Sequence, residues 1–186
     1  MSVTSPTTAT SAQRSDTTPA GPVVALAALV LGVAARLVFF GIWHPDWFPL
    51  GNYERLAAIG EQWWTMHVFV GALGTVAAAT ALAVLVSRLC ATRGAWLAAI
   101  GGAVSILGAT LFAVGIAGEG VLYAALVDPD VLAPTAAASA VDAFAADAAL
   151  SEIPIFTGVA VAAVGGLVQL VALWWSRALP LWLLVA

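Results

Sequence analysis

The amino-acid sequence predicts an all-α fold, a polytopic transmembrane helical bundle of four full spans with a short or truncated fifth. Three observations predict it. Of 186 residues, 62% are hydrophobic and only 9% charged, with a mean hydropathy of +1.03, whereas an ordinary soluble domain is about 25% charged. A chain so poor in charge cannot cover a soluble core with polar surface, so lipid is its solvent. Four apolar runs, at 22–43, 66–87, 96–126 and 154–175, have the length of about 20 residues that a bilayer demands. Finally, arginines and tryptophans cluster between the runs, where membrane meets water.

Residues 1–21, rich in Ser, Thr, Pro and Ala, have almost nothing to bury and read as a disordered cytoplasmic tail, leaving 22–186 as the transmembrane helical domain. The first apolar run starts only after Pro22 and continues to Trp43, which suits a retained signal-anchor helix better than a cleaved signal. Pro45 and Pro49 end that helix. "NYERLAAIGEQWW", from Asn52 to Trp64, has the amphipathic character of a helix lying in the interface. The third run would extend about 45 Å as a helix, so it must tilt, kink at "GIAGEG", or protrude into the headgroups. After it, a short surface helix is expected to start after Pro134 and stop at Pro154. The terminal "PLWLLVA", 180–186, reads as the opening of a fifth span with no room to cross. "LVSRLCATRGAWL" and "WWSRALPLWLL" echo one another, which suggests a helical-hairpin repeat and a chain truncated after Ala186.

Sidedness follows from the arginines. Arg14, Arg88, Arg93 and Arg177 fall on one side of the four spans, which the positive-inside rule makes cytoplasmic. The other side holds Asp46, Glu54, Glu61, Asp128, Asp130, Asp142, Asp147 and Glu152 against Arg55 alone. Acidic loops are therefore expected outside, with the protein in the plasma membrane. Trp43, Trp47, Trp63 and Trp64 mark the outer boundary, and Trp96, Trp174, Trp175 and Trp182 the inner one.

Helices in lipid meet through small residues. On the third span Gly101, Ser105, Gly108, Phe112, Gly115 and Glu119 share one face. His67, Gly71, Gly74, Ala78 and Ala81 do so on the second, and Gly158, Ala162, Gly165 and Gln169 on the fourth. Arg36 and Glu119 are the two charges within hydrocarbon. Counted along their helices they lie roughly 10 and 13 Å below the outer surface, and each alone would cost about 2.5–3.5 kcal/mol on insertion scales. An Arg36–Glu119 ion pair is therefore expected, as a structural clamp in a bundle that acts mainly as a structural or binding scaffold. The alternative is a proton- or ion-coupled relay through Glu119, Arg36 and His67, continuing toward Gln169.

His44 and His67 bracket the first outer loop. Three readings stay open: haem or metal ligation by both imidazoles, a pH-dependent gate, or ordinary packing beside the tryptophans. No HxxxH, ExxH, HExxH or CxxCH spacing supports a metal or haem, so no cofactor is expected. The single Cys90 permits no intramolecular disulfide. The chain also lacks a phosphate loop, GxSxG and a Ser-His-Asp order. Enzymatic activity would rest on Glu119, Arg36 and His67 alone and is not expected. With no lysine and six arginines, there is no basic patch for nucleic acid.

"WWTMHVFVGALGTVAAATALAVL" followed by "LAAIGGAVSILGATLFAVGIAGEG" resembles the uncharacterised small multi-spanning integral membrane proteins of Ala-rich, Lys-poor composition. The resemblance covers 22–180 and implies a helical membrane protein without transferring an activity. The partners it leaves are the lipid bilayer and, through the glycine stripes, a second copy or another membrane protein.

Overall fold

The computed structural model describes residues 20–43 and 52–179; among them the chain is a series of helices joined by short turns, without strands. Helix α1, Ala20–Leu37, continues as a π-helical segment, Val38–Trp43. Then come α2, Tyr53–Ile59, and α3, Gln62–Thr65, which runs through a second π-helical segment, Met66–Ala72, into α4, Leu73–Leu89. Next are α5, Ala95–Val127, α6, Pro134–Ala146, and α7, Ala148–Ser176. Four stretches are long and apolar enough to cross a membrane: Gly21–Trp43, Gln62–Leu89, Ala95–Val127 and Glu152–Ser176. These are the first to fourth spans below. The tail to residue 19, the segment 44–51 with His44, and the short fifth segment 180–186 lie outside the described residues.

Burial is reversed relative to a soluble protein. Ile42, Leu31, Val114 and Leu167 are 80%, 69%, 65% and 63% exposed, while His67, Glu119 and Gln169 are buried. Large apolar side chains that face outward and small or polar ones that face inward fit a molecule solvated by lipid.

The third span is central, packing on the fourth and the second. Its contact with the fourth is backbone on backbone. A Cβ on Gly108 would fall on the backbone of Ala162, one on Gly158 on that of Phe112, and one on Gly165 on that of Ser105. The first span leans on the second, where a Cβ on Gly32 would lie 2.7 Å from the Gly74 carbonyl oxygen and from the Ala78 nitrogen. Dispersion between closely approaching backbones holds such contacts, because lipid supplies no hydrophobic drive between helices.

Each end is closed differently. At one end α2, α3 and α6 form a cap whose core is Leu56, Trp63, Tyr123, Val127 and Val141. At the other, Val86, Cys90, Ala98, Ala172 and Leu173 cluster beside Arg88, Arg93 and Arg177. We call these the cap end and the arginine end. Gly94, which turns the chain into α5, has φ +81, and a Cβ there would also stand 3.0 Å from the Ala172 carbonyl oxygen. Both the backbone conformation and the space demand glycine.

Of the three alternatives for the third span the kink is not taken, and two local expectations are corrected. The third span passes through "GIAGEG" as an unbroken α-helix, and its final turns, with Tyr123 and Val127, are buried by the cap. The interfacial helix is interrupted at Gly60, φ +56, and its second piece is continuous with the second span, which starts at Gln62. Pro154 does not stop a surface helix but lies inside α7. It removes one backbone donor there, and together with Ile155 it packs beneath Gly115.

Candidate functional site

A cleft of about 760 Å³ opens between the first and fourth spans, with the second and third as its floor. From the first span Leu29, Val33, Arg36, Leu37 and Phe40 line it, at spacings that put them on one helical face. Thr75 and Ser105 contribute hydroxyls, and Phe112 a ring, from the second and third spans. Thr75 turns its Oγ1 back to donate to the Gly71 carbonyl at 2.7 Å. Ser105 Oγ accepts from Gln169 Nε2 at 2.8 Å. Apart from Arg36 the wall is mainly apolar. Gly41 and Gly166 also line the cleft, and a Cβ on either would meet nothing within 4 Å.

Arg36 is exposed on this face. Its guanidinium carbon stands 5.5 Å from the Phe40 ring centroid and 5.7 Å from that of Phe112, within the range of a cation–π contact. Among the described residues no carboxylate pairs with it. The expected Arg36–Glu119 ion pair is not formed. Glu119 is 7% exposed and accepts no hydrogen bond or ion pair from the described residues; the charge within electrostatic reach of it is Glu152 at the start of the fourth span. The reason is azimuthal. Gly115, one turn before Glu119, faces Pro154 and Ile155, so Glu119 points toward the fourth span, while Arg36 sits on a helix that leans on the second.

At the cap end, the two π-helical segments lie against one another and enclose His67. Its ring centroid is 4.3 Å from that of Trp63, 4.9 Å from Phe39 and 5.7 Å from Trp43. His67 Nδ1 lies 2.7 Å from the Trp63 carbonyl oxygen. A carbonyl only accepts, so Nδ1 carries the proton, and a neutral ring keeps its lone pair on Nε2. Gly120 admits the imidazole, since a Cβ there would collide with that of His67. Among the described residues no three His, Cys, Asp or Glu side chains form a group able to hold a metal ion. His44, the other expected ligand, lies outside them.

The structure thus brings Gln169 to Ser105 and His67 to the cap, and leaves Arg36 and Glu119 on different faces. Sequence reasoning missed Phe40, Phe112 and the two open glycines as cleft residues. The available signal was that Gly41 and Gly166 stand off every small-residue stripe. No family model matches the chain, and no curated protein or solved structure matches it either.

Proposed function

We propose that the chain forms a four-span helical bundle of the plasma membrane, its arginine end cytoplasmic and its cap end outside, that acts as a binding protein. It takes an apolar molecule from the bilayer, sideways, into the cleft between the first and fourth spans. The observation that carries this reading is the pair of glycines, Gly41 and Gly166, that line the cleft and where a Cβ would meet nothing within 4 Å among the described residues. A helical glycine costs roughly 0.5–1 kcal/mol relative to alanine. A Cβ on the other cleft glycine, Gly158, would meet the Phe112 backbone, but at these two no such close approach occurs among the described residues. Space kept open at that cost suits an occupant. The volume, about 760 Å³, falls inside the range of roughly 300–1,000 Å³ typical of small-molecule sites.

Native mass spectrometry of protein released from nanodiscs tests this. The parent should carry an apolar adduct that Gly166→Trp loses while unfolding at the same temperature. Identical adduct-free spectra from both would end the reading.

A second reading draws on Glu119. A buried carboxylate with no hydrogen-bond or ion-pair partner among the described residues, and with Glu152 as its charged neighbour, favours proton or ion passage through Glu119 toward the cap end. Proton flux into proteoliposomes, abolished by Glu119→Gln, would support it; flux equal to that of empty liposomes would sink it.

A further inference from the structure

Resting on the reading that the cleft takes an apolar molecule, we infer that this molecule is a single-chain anionic amphiphile, a fatty carboxylate, with its head at Arg36 and its chain running toward the arginine end. Charge complementarity carries the argument. Arg36 presents an exposed guanidinium into the cleft, has no carboxylate partner among the described residues, and is steadied by the rings of Phe40 and Phe112. Ring faces attract the charge by their quadrupole but offer the N–H donors at the guanidinium edge no lone pair, and those donors have no acceptor among the described residues. A carboxylate meets two such donors at once, in the planar geometry that makes these the strong charge-assisted bonds.

The rest of the wall suits a hydrocarbon chain. From Arg36 toward the arginine end the first span offers Val33 and Leu29, about 10 Å of apolar surface by helical rise. The two hydroxyls along that path belong to buried residues, Thr75 donating to the Gly71 carbonyl and Ser105 accepting from Gln169. The surface left to an occupant along that path is mainly hydrocarbon.

Depth selects one chain over two. Arg36 stands seven residues before Trp43, where the first span ends, or about 10 Å along the helix. A diacyl phospholipid keeps its phosphate in the polar interface that borders the hydrocarbon. A free fatty acid has a small head and slides deeper, where the guanidinium is its counter-ion.

The test is photolabelling of the full chain in nanodiscs with three diazirine probes: a fatty acid, its methyl ester, and an anionic phosphatidylglycerol, with crosslinked residues mapped by mass spectrometry. The acid should label Val159 and Leu82, which also line the cleft, about tenfold more than the ester, the factor expected of one charge-assisted bond. Arg36→Gln should bring the acid down to the ester's level, and Arg36→Lys should keep part of the preference. Unchanged unfolding temperatures would show that both variants fold. Equal cleft labelling by acid and ester, indifferent to Arg36→Gln, would overturn the anionic head and leave the apolar cleft standing. Labelling of the cleft by neither, above that of the lipid-facing Leu167, would overturn both. Arg36-dependent labelling by phosphatidylglycerol as strong as that by the acid would overturn the single chain.

Discussion

Gln169 Nε2 donates to Ser105 Oγ at 2.8 Å, a buried side-chain hydrogen bond between the third and fourth spans, and the amide's other end, Oε1, is buried without a partner among the described residues. Such a half-satisfied group makes substitutions on its two sides unequal. Ser105→Ala strands the whole amide and should cost about 1 kcal/mol, the scale of interhelical bonds in lipid. Gln169→Leu removes the amide with its orphaned oxygen and should be neutral or stabilising. Unfolding in mixed micelles of graded SDS content reads both, and a Gln169→Leu loss larger than that of Ser105→Ala would contradict the account.

Arg36 and Glu119 should titrate, fold and mutate independently. Because no ion pair joins them, the coupling in a cycle of Arg36→Gln, Glu119→Gln and the double variant should stay within about 0.5 kcal/mol, the additivity expected of separate sites. Glu119→Gln alone should match or exceed the parent, since it keeps the shape and removes a charge that has no partner. Thermal unfolding in detergent gives all four values. A coupling of several kcal/mol would restore the pair as an architectural clamp.

The contrast between this pair and the glycine seams shows what sequence can convey. Gly101, Ser105, Gly108 and Gly115 on one span and Gly158, Ala162 and Gly165 on another were legible because close backbone approach leaves a periodic signature in residue size. Their meeting is what the structure displays. The ion pair was inferred from depth alone, and helical rise gives the height of a residue but not which neighbour it faces. The π-helical segments at Val38–Trp43 and Met66–Ala72 left no trace, because one extra residue per turn changes hydrogen bonding without changing composition. The cap was half legible. Its helices were foreseen as interfacial, but their burial of Tyr123 and Val127 depends on how far α5 protrudes, a tertiary matter.

Topology can be tested with introduced thiols, since Cys90 is buried. If the cap end faces outward, Ser139→Cys on α6, at an exposed position, should react with a membrane-impermeant maleimide on intact cells. Arg93→Cys at the arginine end should react only after permeabilisation. The reverse pattern would invert the orientation, and reaction of both in intact cells would place the chain elsewhere than across the membrane.

His67 should matter for packing at the cap end. It is fully buried among Trp63, Phe39 and Trp43, so His67→Ala should cost about 3 kcal/mol, as other large-to-small core changes do. The same rings stand between the imidazole and any planar macrocycle. An oxidised-minus-reduced difference spectrum of the purified parent should therefore lack a Soret band. A band present in the parent and absent from His67→Ala would make His67 an axial ligand instead.

Gly158 and Gly118 should respond oppositely to the same methyl group. A Cβ on Gly158 would fall on the Phe112 nitrogen, in the crossing between the third and fourth spans, whereas one on Gly118 meets nothing within 4 Å. Backbone cannot swing aside as a flexible side chain does, so Gly158→Ala must push the two helices apart along contacts that include Gly108 with Ala162 and Gly165 with Ser105. Over-packing of this kind costs about 1–3 kcal/mol, and in lipid no hydrophobic gain offsets it. Gly118→Ala gains up to about 1 kcal/mol of helix propensity and disturbs no neighbour. Denaturant titration of both variants in the same micelle separates the two effects. Equal losses would mean that glycine at these positions serves flexibility along α5 and α7 rather than their close approach.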